Sequence, residues 1–178
     1  MEHGLIKRSR SPYSAPIVLD QKKDQSWRMC IDYTRLNEKT KTNAAAMQDC
    51  GSLLHSIPAN YWYSVIDCNS GFWQIPLSED SYEKSAFSTE KEHFEFVVMP
   101  FGLKNAPKTF QSLMNNILSD LISKFVGVLM DDIIIYSPTF ETHMQHIEEV
   151  LKRLKTANLT ISLKKSKFAK RTVDYLSQ

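Results

Sequence analysis

The segment GVLMDDIIIYS, residues 127–137, places two adjacent aspartates inside a run that is otherwise apolar and β-branched. Two like charges about 4 Å apart repel by roughly 4 kcal/mol at an effective dielectric near 20, and burial raises that cost. Because Asp is a poor strand former, the pair is expected at a hairpin tip between strands at residues 126–130 and 133–136. It is either an ordinary exposed acidic turn or a divalent-metal site, and other segments must decide between them.

The composition is that of one globular domain with a sizeable core. Of 178 residues, 42% are hydrophobic, and the net charge of +2 is too small to argue for nucleic acid by itself. Cys30, Cys50 and Cys68 lack CxxC spacing, so the sequence indicates neither a disulfide framework nor a zinc knuckle. Since no apolar run has membrane-spanning length and the first residues are too polar for a secretory signal, we expect an intracellular protein without a membrane partner.

Turn signals and apolar spacing predict an α+β fold, with helices packed on a largely antiparallel sheet. A strand at residues 61–66 is expected to end at Asp67, and Asn158 can supply a left-handed helix stop. A hairpin with a basic tip is predicted at 17–33, and short strands are predicted at 159–163 and 172–176 around a basic turn. Two helices are predicted. One is opened by Asn105 and Pro107 and has an apolar face from Phe110 to Phe125, and the other spans 138–157 with Phe140 inward.

Asp67 is the third carboxylate at a predicted strand end. If its strand lies beside the Asp131–Asp132 hairpin, three carboxylates meet at one end of a sheet and form a hard-oxygen site suited to magnesium. Two magnesium ions about 4 Å apart can activate an attacking hydroxyl and stabilise the leaving oxygen of a phosphoryl transfer. Bound cations would also remove the repulsion within the aspartate pair, but spacing alone does not show that the strands are neighbours.

Several segments together resemble a known family. The stretches SPYSAPIVLDQKKDQSWRMCIDYTRLNEKT, YSVIDCNSGFWQIPL, KSAFSTEKEHFEFVVMPFGLKNAPKTFQSLMN, VLMDDIIIYS and LKTANLTISLKKSKF look like successive blocks of reverse transcriptases from gypsy-type LTR retrotransposons, in the family's order. The resemblance runs from Gly4 to Leu176. It implies a polymerase palm, an antiparallel sheet with packed helices, plus a partial fingers subdomain. Fingers are expected at about 1–60 and 78–100 and palm at about 61–77 and 101–178, without the thumb, connection and ribonuclease H parts.

The resemblance also implies the chemistry of the site. Asp67, Asp131 and Asp132 fall on the family's catalytic carboxylates, and the backbone carbonyl of Cys68 falls where it helps to hold a metal ion. The implied cofactors are two Mg²⁺ ions, with Mn²⁺ possible. The implied partners are an RNA or DNA template with its primer, deoxynucleoside triphosphates and the remainder of a Pol polyprotein.

Six further positions match nucleotide-binding positions of the family. Lys22 and Arg28 match residues that hold the triphosphate, and the alternative is ordinary exposed charge. Phe72 matches a ring under the sugar that excludes a 2′-hydroxyl, and its alternative is core packing. Phe101 and Gly102 belong to the turn that forms a wall beside the nascent base pair, where Gly102 lets backbone approach closely. Lys164 matches a basic residue near the triphosphate, or else belongs to a solvated turn.

Two matters remain open at the level of sequence. His143 and His146 could suggest a metal pair, but exposed helix histidines are the expected state. The chain departs from the family at Leu129, where an aromatic residue is usual, at Ser177, where a glycine is usual, and between Thr40 and Ile57. An RNA-directed DNA polymerase is therefore weighed against an inactive or repurposed remnant that at most binds nucleic acid. A palm-fold nucleotide cyclase would need a Gly-Gly turn that this chain lacks.

Overall fold

The computed structural model describes residues 3–21, 25–44 and 50–175. The chain forms two compact units, Met1–Asn43 with Phe72–Pro107 (unit one) and Ala44–Gly71 with Lys108–Gln178 (unit two). The strands are β1 (Ile6–Arg8), β2 (Ile17–Gln21), β3 (Trp27–Ile31), β4 (Trp62–Asp67), β5 (Phe87–Ser88), β6 (His93–Phe96), β7 (Val126–Leu129), β8 (Asp132–Ser137) and β9 (Lys167–Lys170). The helices are α1 (Thr34–Lys39), α2 (Cys50–Ser56), α3 (Glu79–Tyr82), α4 (Ala106–Ile117) and α5 (Phe140–Thr156), with 3₁₀ turns at Gly71–Gln74 and Glu83–Ser85.

Unit one contains two small antiparallel sheets. One has the strand order β1-β6-β5, and the other is the β2-β3 hairpin that the sequence predicts. The core of unit one is formed by Ile31, Tyr33, Phe87 and Phe96, all less than a tenth exposed. The Tyr33 hydroxyl donates to the Ser85 carbonyl at 2.9 Å, which gives the buried phenol a partner.

Unit two is built on a four-stranded antiparallel sheet of order β7-β8-β4-β9. β8 and β4 lie in the middle of this sheet, and a run of isoleucines in β8 is almost fully buried because both faces of a central strand are covered. One core cluster contains Leu53, Val65, Leu129, Ile134 and Tyr175. The predicted strands at 126–130, 133–136 and 61–66 are therefore confirmed, with shifts of at most one residue at their ends.

α4 ends earlier than the apolar spacing predicts. It begins at Ala106, as expected from Asn105 and Pro107, but stops at Ile117. The chain then continues in turns, in which Leu121 donates to the Leu118 carbonyl and Ser123 takes a φ of 66°. Leu118 and Leu121 are buried in these turns, so their spacing continues the apolar pattern although the helix has ended.

α5 spans Phe140–Thr156, close to the prediction, because the Thr139 side chain accepts a hydrogen bond from the Thr142 N–H and caps it. Asn158 has a φ of 56°, the left-handed stop that the sequence predicts. The expected inward position of Phe140 is wrong, since this ring is 44% exposed and packs edge-on against Trp62 with centroids 5.1 Å apart.

The predicted strands after α5 are also wrong. Residues 159–163 contribute one isolated bridge, between Ile161 and Cys68, and residues 172–175 form no regular strand. The last strand is instead β9, inside the predicted basic turn. Lysines suit this position because β9 is an edge strand, where charged side chains reach solvent. In the described residues, no helix combines the length and apolar character needed to cross a membrane.

Candidate active site

One end of the unit-two sheet carries three carboxylates. In the antiparallel pair of β4 and β8, Asp67 lies directly opposite Asp132. Leu129 of β7 also pairs with Asp132, so Met130 and Asp131 form the two-residue hairpin turn. Asp131 therefore occupies the hairpin tip that its strand propensity predicts, whereas Asp132 is the first residue of a strand. The expectation that the Asp67 strand neighbours the hairpin is confirmed.

The hairpin turn is held by a side chain of α4. Met130 has a φ of 54°, which costs free energy for a residue with a Cβ. Its N–H donates to Gln111 Oε1 at 2.7 Å, and Gln111 Nε2 donates to the Val128 carbonyl at 3.3 Å. Gln111 is 1% exposed. The sequence alone does not indicate this role, because a polar side chain in an amphipathic helix gives no sign of a distant backbone partner.

The bend after β4 packs against the same turn. The Cys68 N–H donates to the Asp131 carbonyl at 3.2 Å. A Cβ added to Gly71 would lie 3.1 Å from the Phe110 ring and 3.3 Å from the Asp131 Cβ. Glycine at position 71 thus lets the bend approach the hairpin closely, and the approach fixes Asp131 relative to β4.

Burial, together with the neighbouring carboxylates, raises the pKa of two groups at this end of the sheet. Burial raises the pKa of Asp132, and the charges of Asp131 and Asp67 raise it further, while Lys165 acts in the opposite direction. Burial, followed by the same aspartates, raises the pKa of the Cys68 thiol to about 12. The thiol is therefore protonated at neutral pH when no metal ion is bound.

A lysine already reaches this cluster. Lys165 Nζ lies 3.3 Å from Asp67 Oδ1 and 3.4 Å from Oδ2, although its side chain is 66% exposed. Lys164, one residue earlier, is exposed, and its expected contact with a triphosphate stays a prediction. Both residues belong to the basic turn noted in the sequence, but the pattern did not indicate which ammonium turns toward the aspartates.

The atoms available as ligands decide whether this end of the sheet suits a metal ion. Within residues 3–21, 25–44 and 50–175, no three His, Cys, Asp or Glu side chains are grouped as ligands of one ion. Carboxylate oxygens are nevertheless the ligands that Mg²⁺ prefers, and the Lys165 ammonium shows that this end of the sheet attracts a cation. The residues fit a divalent ion in chemistry, and binding would require the carboxylates to reorient.

The remaining expected site residues belong to unit one, apart from Lys164. Lys22 lies outside the described residues. Arg28 is exposed on β3, opposite Asp20 of β2. The rings of Phe72 and Phe101 have centroids 5.1 Å apart, and Trp73 packs edge-on against Phe101 at 5.6 Å. Phe72 thus belongs to an aromatic cluster of unit one, and a role beside the sugar stays a prediction.

Gly102 has the backbone that its position in the turn suggested. Its φ is 90°, and an added Cβ would lie 3.3 Å from the Ile31 carbonyl oxygen. Asn37 Nδ2 donates to the Gly102 carbonyl at 2.8 Å, which fixes the turn against α1. A side chain at position 102 would be strained both by conformation and by this close approach.

The expectation of exposed histidines on α5 is wrong. His143 is fully buried and His146 partly buried, because both bond to serines of the sheet. His146 also stacks on Phe125, with centroids 3.6 Å apart and planes 6° from parallel. Burial lowers the pKa of both imidazoles, and His146 lowers that of His143 further.

Comparisons with known proteins give the family. The family described as "Reverse transcriptase (RNA-dependent DNA polymerase)" matches residues 21–178. The chain belongs to the reverse transcriptase family. Among relatives from Drosophila melanogaster, the Retrovirus-related Pol polyproteins from transposons 297 and gypsy are 40% and 37% identical over 99% of this chain. The chain spans only 17% and 18% of their length.

Solved structures of the family show the same fold. The foamy viral protease-reverse transcriptase dRH in complex with ds DNA matches 98% of this chain and 31% of that chain, with a TM-score of 0.92 and 29% identity. The foamy viral protein in complex with RNA/DNA hybrid matches 97% of this chain and 23% of that one, with a TM-score of 0.91 and 29% identity. The predicted α+β polymerase fold is confirmed, and the family generally uses divalent metal ions.

Proposed function

We propose that this chain supplies the catalytic carboxylates of an RNA-directed DNA polymerase that works as part of a Pol polyprotein inside the cell. The observation that carries the proposal is the pairing of Asp67 with Asp132 across β4 and β8, with Asp131 in the adjoining turn. In the proposed reaction, the primer 3′-oxygen bonds to the α-phosphorus of a deoxynucleoside triphosphate. The bond from that phosphorus to pyrophosphate breaks, and the hydroxyl proton passes to solvent water.

The chain's own residues would divide this work. Asp67, Asp131, Asp132 and the Cys68 carbonyl would hold two Mg²⁺ ions, with Mn²⁺ able to substitute. Divalent ions there would lower the pKa of the attacking hydroxyl and stabilise charge on the leaving oxygen. Proposed triphosphate and sugar contacts come from the side chains of Lys22, Arg28, Lys164 and Phe72, with Phe101 and Gly102 beside the base pair.

The subdomain assignment is part of the same proposal. Fingers at about 1–60 and 78–100, and palm at about 61–77 and 101–178, would bind the template, the primer and the nucleotide. Support comes from the foamy viral structures of similar fold, which hold ds DNA in one case and an RNA/DNA hybrid in the other. The fork of Arg28 suits phosphate recognition, because a guanidinium donates two parallel hydrogen bonds.

Activity is best tested in a chimera, since duplex binding relies on many phosphate contacts and the 178-residue chain alone should extend a primer poorly. The chain is joined to the segment that follows the matching region in the transposon 297 polyprotein. We expect primer extension on RNA and DNA templates, its loss in Asp131→Asn, and its retention in Glu148→Gln, an exposed charge on α5. A folded chimera that binds template but does not extend would support the inactive remnant instead.

Substrate choice gives a second test. Replacing Phe72 with valine would remove the ring proposed to exclude a 2′-hydroxyl, so the chimera should incorporate ribonucleotides more readily. The measurement is the ratio of kcat/KM for a ribonucleotide and its deoxynucleotide. An unchanged ratio with normal deoxynucleotide incorporation would assign Phe72 to core packing.

A further inference from the structure

Unit two contains a hydrogen-bonded chain of two buried serines, the buried His143 and the partly buried His146, outside the carboxylate cluster. His143 Nε2 bonds to Ser64 Oγ at 2.8 Å, and His143 Nδ1 bonds to Ser137 Oγ at 2.8 Å. Ser137 Oγ also bonds to His146 Nδ1 at 2.8 Å. Ser64, Ser137 and His143 are each 0% exposed. The proposed chemistry uses none of these side chains.

The His143 imidazole spans the two central strands. Ser64 of β4 faces Ile135 of β8, and Ser137 lies two residues farther along β8. The serines are therefore diagonal neighbours on one face of the sheet, where residues are about 7–8 Å apart and two serine side chains are too short to meet. The ring bridges this gap because its two nitrogens direct their hydrogen bonds away from each other, one to each serine.

The bridge also reaches the edge strand. The ladder between β4 and β9 shifts its register between Tyr63 and Val65, and Ala169 has a φ of 49°. The Ala169 N–H donates to Ser64 Oγ at 2.9 Å instead of joining a regular ladder. Ser64 Oγ thus bonds both to the Ala169 N–H, at the register shift, and to the His143 imidazole.

The hydrogen bonds of the bridge are mutually dependent. A neutral imidazole donates one hydrogen bond and accepts one, so the two serine hydroxyls must point the same way along the chain. Loss of one partner would leave the other polar atoms buried without water, which is costly at 0% exposure. Such a network tolerates one arrangement of β4, β8 and α5 and disfavours others.

We infer that His143 is a positioning residue that locks the β4–β8 register and so keeps Asp67 opposite Asp132. A slip of one residue would place Asp67 opposite Asp131 or Ile133 and turn the strand's side chains to the other face. Asp67 lies three residues after Ser64, and Asp132 begins the strand that Ser137 ends. The inference rests on the proposed function, because that function makes the aspartates metal ligands. The bridge itself can be tested without measuring activity.

The test compares four variants of the whole chain. His143→Leu removes both links, His143→Asn retains an amide near the Nδ1 position facing Ser137, and His143→Gln retains one near the Nε2 position facing Ser64. Val150→Ala is the matched control, since Val150 is 0% exposed on the same helix but outside the bridge. Each variant is examined by amide hydrogen exchange in β4 and β8 and by calorimetric titration with Mn²⁺.

We expect exchange in β4 and β8 to accelerate in His143→Leu beyond its rate in Val150→Ala, and Mn²⁺ affinity to fall about tenfold or more, as for other residues that orient metal ligands. In His143→Asn and His143→Gln, the exchange rate and the Mn²⁺ affinity should lie between those of the unaltered chain and His143→Leu. These two variants keep the test decisive if the leucine variant does not fold. Equal Mn²⁺ loss in Val150→Ala, or faster exchange with unchanged affinity, would overturn the positioning role. If the unaltered chain binds no Mn²⁺, the proposed function fails, whereas selective exchange would still show that His143 holds the register.

Discussion

Replacing Asp132 with asparagine should stabilise the metal-free protein. Directly opposed residues of an antiparallel pair have Cβ atoms about 5 Å apart, and two carboxylate charges at that distance repel by about 3 kcal/mol at an effective dielectric near 20. Asp132 is only half-buried, and Lys165 lies 3.3 Å from the opposing Asp67. Solvent screening and this counter-charge should leave about 1 kcal/mol of net repulsion for the substitution to relieve.

Urea unfolding with a chelator, and again with saturating magnesium, measures this effect. Without metal, Asp132→Asn should unfold at higher urea than the parent, and its melting temperature should rise by about 2–4 °C for a domain of this size. With magnesium the order should reverse, because ions that bind only the native state stabilise the parent more than a variant lacking a ligand. Glu148→Gln removes one exposed charge of the same unit and should change neither comparison.

Two results would contradict this reasoning. If Asp132→Asn destabilises the metal-free protein by about 1 kcal/mol or more, the carboxylate accepts structural hydrogen bonds that outweigh repulsion. If magnesium stabilises parent and variant equally, the ion binds elsewhere, and the carboxylate cluster is no metal site. An increase in stability that disappears at high salt would still support repulsion, since screening weakens it.

Substitutions at three further positions, Gln111, Gly71 and His143, probe the surroundings of the site. Gln111→Leu should cost about 1–3 kcal/mol in urea unfolding, because the Met130 N–H loses its buried acceptor, whereas Gln111→Glu should retain part of the bond. Gly71→Ala should cost about 1–3 kcal/mol, since the new Cβ would lie 3.1 Å from the buried Phe110 ring, and Gly71→Ala with Phe110→Leu should recover part of the loss. Burial lowers the pKa of His143 from 6.5, so the native state binds fewer protons than the unfolded chain. The free energy of unfolding should therefore decline as pH falls below about 6.5. Between about pH 7.5 and 5.5, this decline should be smaller in His143→Gln.

Local chemistry explains which features the sequence could predict. The hairpin around Asp131 was predictable because Asp resists a strand while the residues on both sides favour one. The left-handed stop at Asn158 likewise depends on near neighbours, and α5 was placed almost correctly. The match of quoted segments to a family supplied what no local pattern contains, namely the pairing of a strand near residue 67 with a hairpin more than sixty residues later.

The features that the sequence did not reveal depend on contacts between distant segments. His143 was expected to face solvent because the sequence predicts no Cys or carboxylate partner near it, yet it bonds to Ser64 and Ser137 on two strands. The end of α4 was misplaced because buried turn residues continued the helical spacing. β9 was missed because lysine-rich segments favour turns locally, whereas an edge strand accepts them.

The three aspartates are held by elements that each carry a local cost. Met130 has a positive φ, position 71 has room only for glycine's hydrogen, and the carboxylates repel one another. Separate contacts compensate each cost: Gln111 binds the turn, the Cys68 N–H binds the Asp131 carbonyl, and Lys165 approaches Asp67. A site whose compensations come from different elements is over-determined, so loss of one should weaken it without abolishing the fold. Strain of this kind persists where stability is given up for function, and it is concentrated here at the turn that carries Asp131.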